Sequence, residues 1–226
     1  MEQDQTYKQF SSDCFSVSSS DTYLIWGDSY AAASSFGLIN IHKHIAQLTA
    51  SSCPPFIDIN IKDVDNCRAI NDFVKLKIIE LKPVKIFLQS KWNNYADILE
   101  ENLTKTIKII HAISPSSKVI IIGNVPQWTP NLPTLAIRNN LALNSNEYIH
   151  MKMYELLSTL DNKLIRISQN NGVDFISPLN NLCIDQNCLA SVNFKSKYWL
   201  TSWDNGHLTE AGSVYLFKVL EKEINK

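Results

Sequence analysis

The chain has 226 residues, of which 45% are hydrophobic and 19% charged, a balance typical of one globular domain with a sizeable core. A net charge of −1 argues against nucleic acid as a partner, because a phosphate-binding surface needs a clustered excess of basic residues. No apolar stretch approaches the roughly 20 residues of a membrane-spanning helix, and the polar N-terminus does not resemble a signal peptide.

Residues 1–21 are polar and rich in serine, which predicts a linker or lightly structured N-terminal extension before a catalytic domain at 22–226. From there, short apolar runs alternate with helical patterns. The predicted strands cover residues 23–26, 45–49, 84–88, 119–122 and 173–176. The predicted helices start at Ser29 and follow the apolar periodicity of residues 70–81, 99–110, 153–167 and 214–224. Residues 126–146 are rich in proline and asparagine and predict an irregular excursion.

This alternation predicts an α/β fold. We expect a three-layer α/β/α sandwich around a central, mostly parallel five-stranded sheet of the flavodoxin-like kind. Ligands of such sheets bind beyond the carboxyl ends of the strands, so chemistry-bearing residues are sought there.

Five cysteines stand at positions 14, 53, 67, 183 and 188. Cys183 and Cys188 flank a polar tetrapeptide and could close a small disulfide ring or form half of a zinc site, although no second pair of ligands follows. Cys53 and Cys67 bracket a loop and could form a second disulfide, which leaves Cys14 free or mispaired. Disulfides indicate an oxidising compartment, and without a signal peptide they suggest a domain of a longer, exported or membrane-anchored chain.

Ser29 is the candidate nucleophile. The first predicted strand runs directly into Gly-Asp-Ser at 27–29 and then into a helix. A serine at that position lies at a helix N-terminus, where free backbone N–H groups and the helix dipole favour developing negative charge. The tripeptide alone is a weak signal, since it would also suit an ordinary helix-capping turn.

The candidate base is His207, three residues after Asp204 and just before the last helix. A serine hydroxyl is a poor nucleophile until a base accepts its proton, and a carboxylate orients the imidazole that does so. The Asp-x-x-His spacing is common in capping loops. Combined with Ser29 at the exit of the first strand, however, it places the three side chains on the same edge of the sheet.

These blocks resemble those of SGNH hydrolases: Leu-Ile-Trp-Gly-Asp-Ser at 24–29 is similar to their first block and Asp-Asn-Gly-His-Leu at 204–208 to their last. More specifically, residues 14–226 resemble the C-terminal SGNH domain of bacterial membrane acyltransferases that O-acetylate lipopolysaccharide O-antigen and related glycans. The closer likeness rests on the stretches 49–55, 91–92 and 123–126, on Cys67 with Asn71, and on the Cys183/Cys188 loop. The resemblance implies a catalytic triad of Ser29, His207 and Asp204 in a periplasmic domain tethered to a membrane acyltransferase.

Two positions depart from the family pattern, and both concern the oxyanion hole, to which the backbone N–H of Ser29 also contributes. Ser52 stands where the second block usually has glycine, a change that a backbone donor tolerates. Trp92 stands where the third block usually has asparagine, and either its indole N–H or the neighbouring Asn93 could serve as a donor. Trp92 could equally be a core or sugar-stacking residue.

The resemblance and the residues together predict O-acetyl transfer to a bacterial surface glycan through an acyl-serine intermediate, with acetylesterase side activity. The partners would be an acetyl donor, a glycan acceptor and a membrane acyltransferase domain, and neither a metal nor an organic cofactor is expected. The alternatives are a stand-alone carbohydrate acetylesterase and a non-catalytic glycan-binding module.

Two further groups of residues leave more than one interpretation open. His42 and His44 form a His-x-His pair, which could mark a metal site but is interpreted as an exposed pair that does not bind a metal. Trp128, Trp199 and Trp203 are predicted in loops near the site, as platforms for sugar rings or as ordinary packing residues.

Overall fold

The computed structural model describes residues 6–16 and 20–225. Its strands are, in chain order, β1 (Tyr23–Gly27), β2 (Ile45–Thr49), β3 (Lys85–Gln89), β4 (Lys118–Ile122), β5 (Tyr148–His150), β6 (Asp174–Ile176), β7 (Cys183–Ile184), β8 (Asn187–Leu189), β9 (Ser191–Phe194) and β10 (Lys197–Leu200). Its helices are α1 (Ser29–Ile41), α2 (Cys67–Leu81), α3 (Leu99–Ile113), α4 (Leu132–Arg138), α5 (Tyr154–Asn171), α6 (Pro178–Leu182) and α7 (Glu210–Ile224).

The central sheet has five parallel strands in the order β2-β1-β3-β4-β6. This confirms the predicted α/β fold. The chain leaves β1 to form β2 on one side and later returns to form β3 on the other, so the carboxyl end of β1 is the switch point of the topology. Ligands of open α/β sheets bind in the crevice at such a point.

Helices cover both faces of the sheet because its strands carry buried apolar side chains in both directions. Along β1, Leu24 and Trp26 point towards α2, α3 and α5, whereas Tyr23 and Ile25 point towards α1 and α7. A third, smaller apolar cluster lies under β5 and β8 and includes Trp128. The three layers therefore follow from the period-two pattern of the strands and the apolar stripes of the helices.

Two disulfides, Cys53–Cys67 and Cys183–Cys188, stabilise the loops that follow β2 and α6. Both predicted pairings are confirmed, and the zinc alternative for the second pair is wrong. Cys14 is free and half-buried.

The predicted excursion at 126–146 is wrong in one respect, because it contains the helix α4. The sequence patterns also missed two small antiparallel groups of strands, β5-β8-β7 and β9-β10. Within 6–16 and 20–225, no helix combines the length and the apolar character needed to cross a membrane.

The predicted N-terminal extension is described at residues 6–16 and 20–21, while 1–5 and 17–19 lie outside the described residues. In the described part, the rings of Tyr7, Phe10 and Phe15 surround Phe73 of α2 at centroid distances of 5.5, 5.6 and 5.8 Å. This segment thus packs against the domain. The division of the chain at residue 21 stays a prediction.

Candidate active site

Ser29 is the first residue of α1 and lies at the switch point of the sheet. β1 reaches it through Gly27, where a Cβ atom would lie 1.6 Å from the carbonyl oxygen of Gln89. Only glycine therefore allows β1 and β3 to approach so closely here. As the first residue of the helix, Ser29 has a backbone N–H without an intrahelical partner, and the helix dipole favours negative charge at this end.

The carboxylate of Asp28 fixes the turn that presents Ser29. It is 2% exposed, and one oxygen caps α1 by accepting the N–H of Tyr30 at 2.8 Å. The other oxygen accepts the hydroxyl of Ser90 at 2.6 Å and the N–H of Lys91 at 2.8 Å. Burial raises the pKa of Asp28, and these hydrogen bonds offset only part of the increase. Asp28 thus ties the turn after β1 to the turn after β3.

The structure brings Ser29, His207 and Asp204 together. The Oγ of Ser29 lies 2.7 Å from Nε2 of His207, although 178 positions separate the two residues. Nδ1 of His207 lies 2.6 Å from Oδ2 of Asp204. The three side chains form one hydrogen-bonded chain with the geometry of a nucleophile, a base and a residue that orients the base.

Asp204 is held in place by its own loop. Its Oδ1 accepts the backbone N–H groups of Gly206 at 2.9 Å and of His207 at 2.8 Å. Partial burial alone would raise the pKa of Asp204, but these two hydrogen bonds and the contact with the imidazole outweigh it, so the pKa lies below its usual value. Asp204 is therefore ionised at neutral pH and can stabilise a protonated His207.

Two aromatic rings flank the imidazole of His207. The ring of Tyr30 lies on one side at a centroid distance of 4.5 Å and is tilted by 49°. The indole of Trp203 stacks on His207 at 5.1 Å and 17°, and its side chain is 60% exposed. These contacts restrict the plane of the imidazole, so that Nε2 stays directed at Ser29.

The loop that carries Asp204 is paired with the segment before α4. The backbone N–H of Trp128 donates to the carbonyl of Asn205 at 2.7 Å, and Nδ2 of Asn205 returns a hydrogen bond to the carbonyl of Trp128 at 2.8 Å. The N–H of Leu132 donates to the carbonyl of Asp204 at 3.1 Å. Part of the predicted excursion at 126–146 therefore supports the triad.

A second buried carboxylate, that of Asp161 on α5, fixes Asn124 just before the segment that contacts the loop of Asp204. Its Oδ1 accepts both the backbone N–H and the side-chain amide of Asn124, at 2.9 and 2.8 Å, and its Oδ2 accepts the hydroxyl of Ser177 at 2.9 Å. Burial raises the pKa of Asp161, and these hydrogen bonds offset part of the increase. Asp161 thus joins the loops that follow β4 and β6.

Ser52 lies in the turn after β2 with a φ of 55°. This left-handed conformation costs glycine nothing and other residues some strain, which agrees with the family preference for glycine at this place. The hydroxyl of Tyr95 donates to the carbonyl of Ser52 at 2.9 Å. The backbone N–H of Ser52 has no hydrogen-bond partner among the described residues and stays available as a donor.

Trp92 does not supply an oxyanion donor, and this expectation is wrong. Its side chain is fully buried, and its indole N–H donates to the carbonyl of Ile122 at 2.8 Å. The Oδ1 of the neighbouring Asn93 accepts Nε2 of Gln127 at 3.0 Å. This bond fixes the orientation of the amide and leaves Nδ2 of Asn93 without a partner in the described part of the chain.

Gln127 was not singled out from the sequence. Its side chain lies close to Gly206, where a Cβ would come within 3.1 Å of the Cγ of Gln127, and it donates a hydrogen bond to Asn93. Gln127 therefore connects the loop of Asp204 and His207 with Asn93. A single neutral residue in a proline-rich loop carries no signal that would identify it.

Asp21, His42 and His44 place their possible ligand atoms within 4.8 Å of one another, before the amino end of β1 and so at the opposite edge of the sheet from Ser29. Nε2 of His42 lies 2.8 Å from the carbonyl oxygen of Asp21, and Nδ1 of His44 lies 2.7 Å from its carboxylate. This cluster could hold a cation, but hydrogen bonds alone account for its geometry. The His-x-His pair gave no sign of Asp21, which lies 21 positions before His42.

Comparisons with known proteins agree with this geometry. Residues 2–222 match a family described as "SGNH domain (fused to AT3 domains)". The periplasmic domain of a Salmonella ser. Paratyphi A lipopolysaccharide acetyltransferase is 25% identical, with a TM-score of 0.79 over 93% of this chain and 86% of that one. Among curated proteins, none matches this chain.

Two more distant structures share the fold. A candidate platelet activating factor from Streptococcus pneumoniae is 14% identical, with a TM-score of 0.55 over 90% of this chain and 84% of that one. A candidate GDSL-like lipase from Parabacteroides merdae is 10% identical, with a TM-score of 0.53 over 94% of this chain and 99% of that one.

Proposed function

Since the chain belongs to the SGNH domain family whose members are fused to AT3 domains, we propose that it transfers O-acetyl groups to a bacterial surface glycan through an acyl-serine intermediate on Ser29. The observation that carries this proposal is the hydrogen-bonded chain from Ser29 through His207 to Asp204, with distances of 2.7 and 2.6 Å. The likeness to the periplasmic domain of a lipopolysaccharide acetyltransferase supports the choice of a glycan as acceptor.

In the first half of the reaction, Oγ of Ser29 attacks the carbonyl carbon of the acetyl donor while Nε2 of His207 takes the hydroxyl proton. Asp204 stabilises the resulting imidazolium. The tetrahedral intermediate then collapses: the bond to the leaving group breaks, and the leaving group takes the proton from His207. An acetyl ester of Ser29 remains.

In the second half, a glycan hydroxyl gives its proton to His207 and attacks the ester carbonyl. The bond to Oγ breaks, and Ser29 recovers its proton from His207. Water that attacks in place of the glycan releases acetate, which is the expected esterase side reaction.

The negative charge of both tetrahedral intermediates needs hydrogen-bond donors. We assign this role to the backbone N–H groups of Ser29 and Ser52 and to Nδ2 of Asn93, in place of the indole of Trp92. Loss of one such donor in other acyl-transfer enzymes costs about 10²–10³ in kcat, so Asn93→Ala should reduce turnover to a similar degree. Asn94→Ala, which removes the next amide along the chain, is the matched control.

The proposed location is the periplasm, in a protein whose membrane-embedded AT3 domain lies next to this one. The fused architecture of the family and the two disulfides support this location, since disulfides persist in oxidising compartments.

The direct test is to incubate the purified chain with p-nitrophenyl acetate as donor and de-O-acetylated O-polysaccharide as acceptor, and to measure acetylated polysaccharide and free acetate. We expect both products from the wild type and neither from Ser29→Ala. Acetate as the sole product would indicate an acetylesterase. Undiminished turnover by Ser29→Ala would overturn the mechanism altogether.

A further inference from the structure

The five tryptophans of the chain fall into two groups. Trp26, Trp92 and Trp128 are at most 1% exposed and belong to the core. Trp199 and Trp203 are 50% and 60% exposed. Large exposed aromatic side chains that lie together mark a binding surface more often than packing, since folding alone would bury them.

Trp199 and Trp203 line the same cavity, of about 430 Å³, together with Lys197, Tyr198 and Ser202. A second cavity of about 490 Å³ shares Lys197, Trp199 and Thr209 with the first as lining residues. Both volumes lie in the range of small-molecule sites, and a lining of aromatic side chains with a few polar groups is typical of them. We call this surface, built on the hairpin β9-β10 and the residues after it, the hairpin groove.

The hairpin groove adjoins the candidate base His207 through Trp203. Trp203, which lines the groove, also stacks on the imidazole of His207 at a centroid distance of 5.1 Å, and that imidazole contacts Ser29, so one wall of the groove is in direct contact with the base. The ammonium of Lys197 forms no ion pair within the described residues, whereas the nearby Lys195 is paired with Glu210 at 3.2 Å. Lys197 is thus open to hydroxyl or acidic groups of a ligand.

We infer that the hairpin groove binds the acceptor glycan, with one sugar ring stacked on Trp203 and a second on Trp199. This inference rests on the proposed function, which requires a polyol whose hydroxyl approaches His207. A pyranose ring has an apolar face for an indole and hydroxyl groups around its edge for the polar rim, so it matches both features of the groove.

The test compares the wild type with Trp199→Ala, and uses Phe36→Ala as a control because Phe36 is an aromatic residue of similar exposure, 55%, on α1 and outside the groove. The probe is de-O-acetylated O-polysaccharide, with binding measured by affinity electrophoresis in the Ser29→Ala background. Transfer is measured in the active enzymes with p-nitrophenyl acetate as donor. We expect Trp199→Ala to weaken binding and raise the KM for polysaccharide about tenfold, with a much smaller change in kcat, as removal of uniform binding predicts. Phe36→Ala should leave both unchanged.

Equal binding by the wild type and Trp199→Ala would contradict glycan binding in the hairpin groove, as would a failure of the wild type to bind the polysaccharide at all. Binding that depends on Trp199 without any transfer would support the groove and reject the proposed function. A fall in kcat at constant KM would also overturn the inference, because it would mean that Trp199 acts on the triad.

Discussion

Replacing Asp204 with asparagine changes one atom of the triad and keeps its shape. Oδ1 of Asp204 accepts two backbone N–H groups, at 2.9 and 2.8 Å. The asparagine must keep its own oxygen there, because an amide nitrogen cannot accept a hydrogen bond. Its Nδ2 therefore replaces Oδ2 and faces Nδ1 of His207, which lies 2.6 Å away in the wild type.

The consequence is the wrong tautomer of His207. Since Nδ2 is a donor, Nδ1 becomes the acceptor, and the imidazole proton moves to Nε2, which points at Ser29. In that form His207 cannot take the serine proton. The same substitution in a serine protease triad lowers kcat about 10⁴-fold, or about 5 kcal/mol in activation free energy, and we expect a loss of that order here.

The assay is the initial rate of p-nitrophenyl acetate hydrolysis, with circular dichroism to verify the fold. Asp174→Asn is the matched control, because Asp174 also contacts a basic side chain, Lys118 at 2.8 Å, but lies at the amino end of β6, away from Ser29. It should retain activity within about twofold, as expected for an exposed ion pair. A loss of less than tenfold in a folded Asp204→Asn enzyme would refute the argument from tautomers.

Three further substitutions test the support of the site. Burial raises the pKa of Asp28 in the folded state, so its stabilising contribution is present below the ordinary pKa of 3.8 and is lost as the pH rises through the folded value. Asp28→Asn should therefore flatten the decline of the free energy of unfolding above about pH 4. Urea titrations at several pH values that show the same pH dependence of this free energy in both proteins would contradict this. Gly206→Ala would place a Cβ 2.5 Å from the hydroxyl of the buried Tyr30. The resulting displacement of the loop that carries Asp204 and His207 should lower esterase kcat about tenfold or more. Wild-type rates in this variant would contradict the prediction. Replacing Cys53 and Cys67 with serine should lower the free energy of unfolding by about 3 kcal/mol. Removing the Cys183–Cys188 disulfide should lower it less, because its sequence separation is 5 rather than 14 and the closed loop restricts the unfolded chain less. An equal loss for both disulfides would contradict this explanation.

The central sheet could be predicted because β1 to β4 are short, mostly apolar and mostly buried runs, each followed or preceded by a helix, while the edge strand β6 is recognisable by its position after the apolar stripe of α5. The small strands could not. β7 has two residues and β9 and β10 have four each; only the first two residues of β9 are buried, and neither β7 nor β10 has a buried residue. These segments become strands only because they pair with other segments: β9 with β10, and β8 with both β7 and the distant β5.

The sequence does not clearly predict α4, because the residues that start this helix also act as helix breakers. Asn131 caps the helix by accepting the N–H of Thr134 at 2.9 Å, and Pro133 lies in its first turn. Both residue types are favoured at these positions of a helix, so a proline after an asparagine can begin a helix as well as interrupt one.

Within the site, the positions of Ser29, Asp204 and His207 at strand exits pointed to one sheet edge. The direction of Trp92 could not be read in the same way. The turn after β3 continues as a short 3-10 helix, Trp92–Tyr95, which directs the indole into the core and leaves Asn93 beside Gln127. A shift of one residue in such a turn exchanges a fully buried side chain for a partly exposed one, and alignment by residue type alone does not reveal it.

The central claim is that Ser29 is the nucleophile, and a fluorophosphonate probe tests it without any assumption about donor or acceptor. After labelling, peptide mass spectrometry should locate the adduct on Ser29 in the wild type, find none in Ser29→Ala, and show much slower labelling in His207→Ala. An adduct on another residue, or labelling of Ser29→Ala at the wild-type rate, would contradict the account.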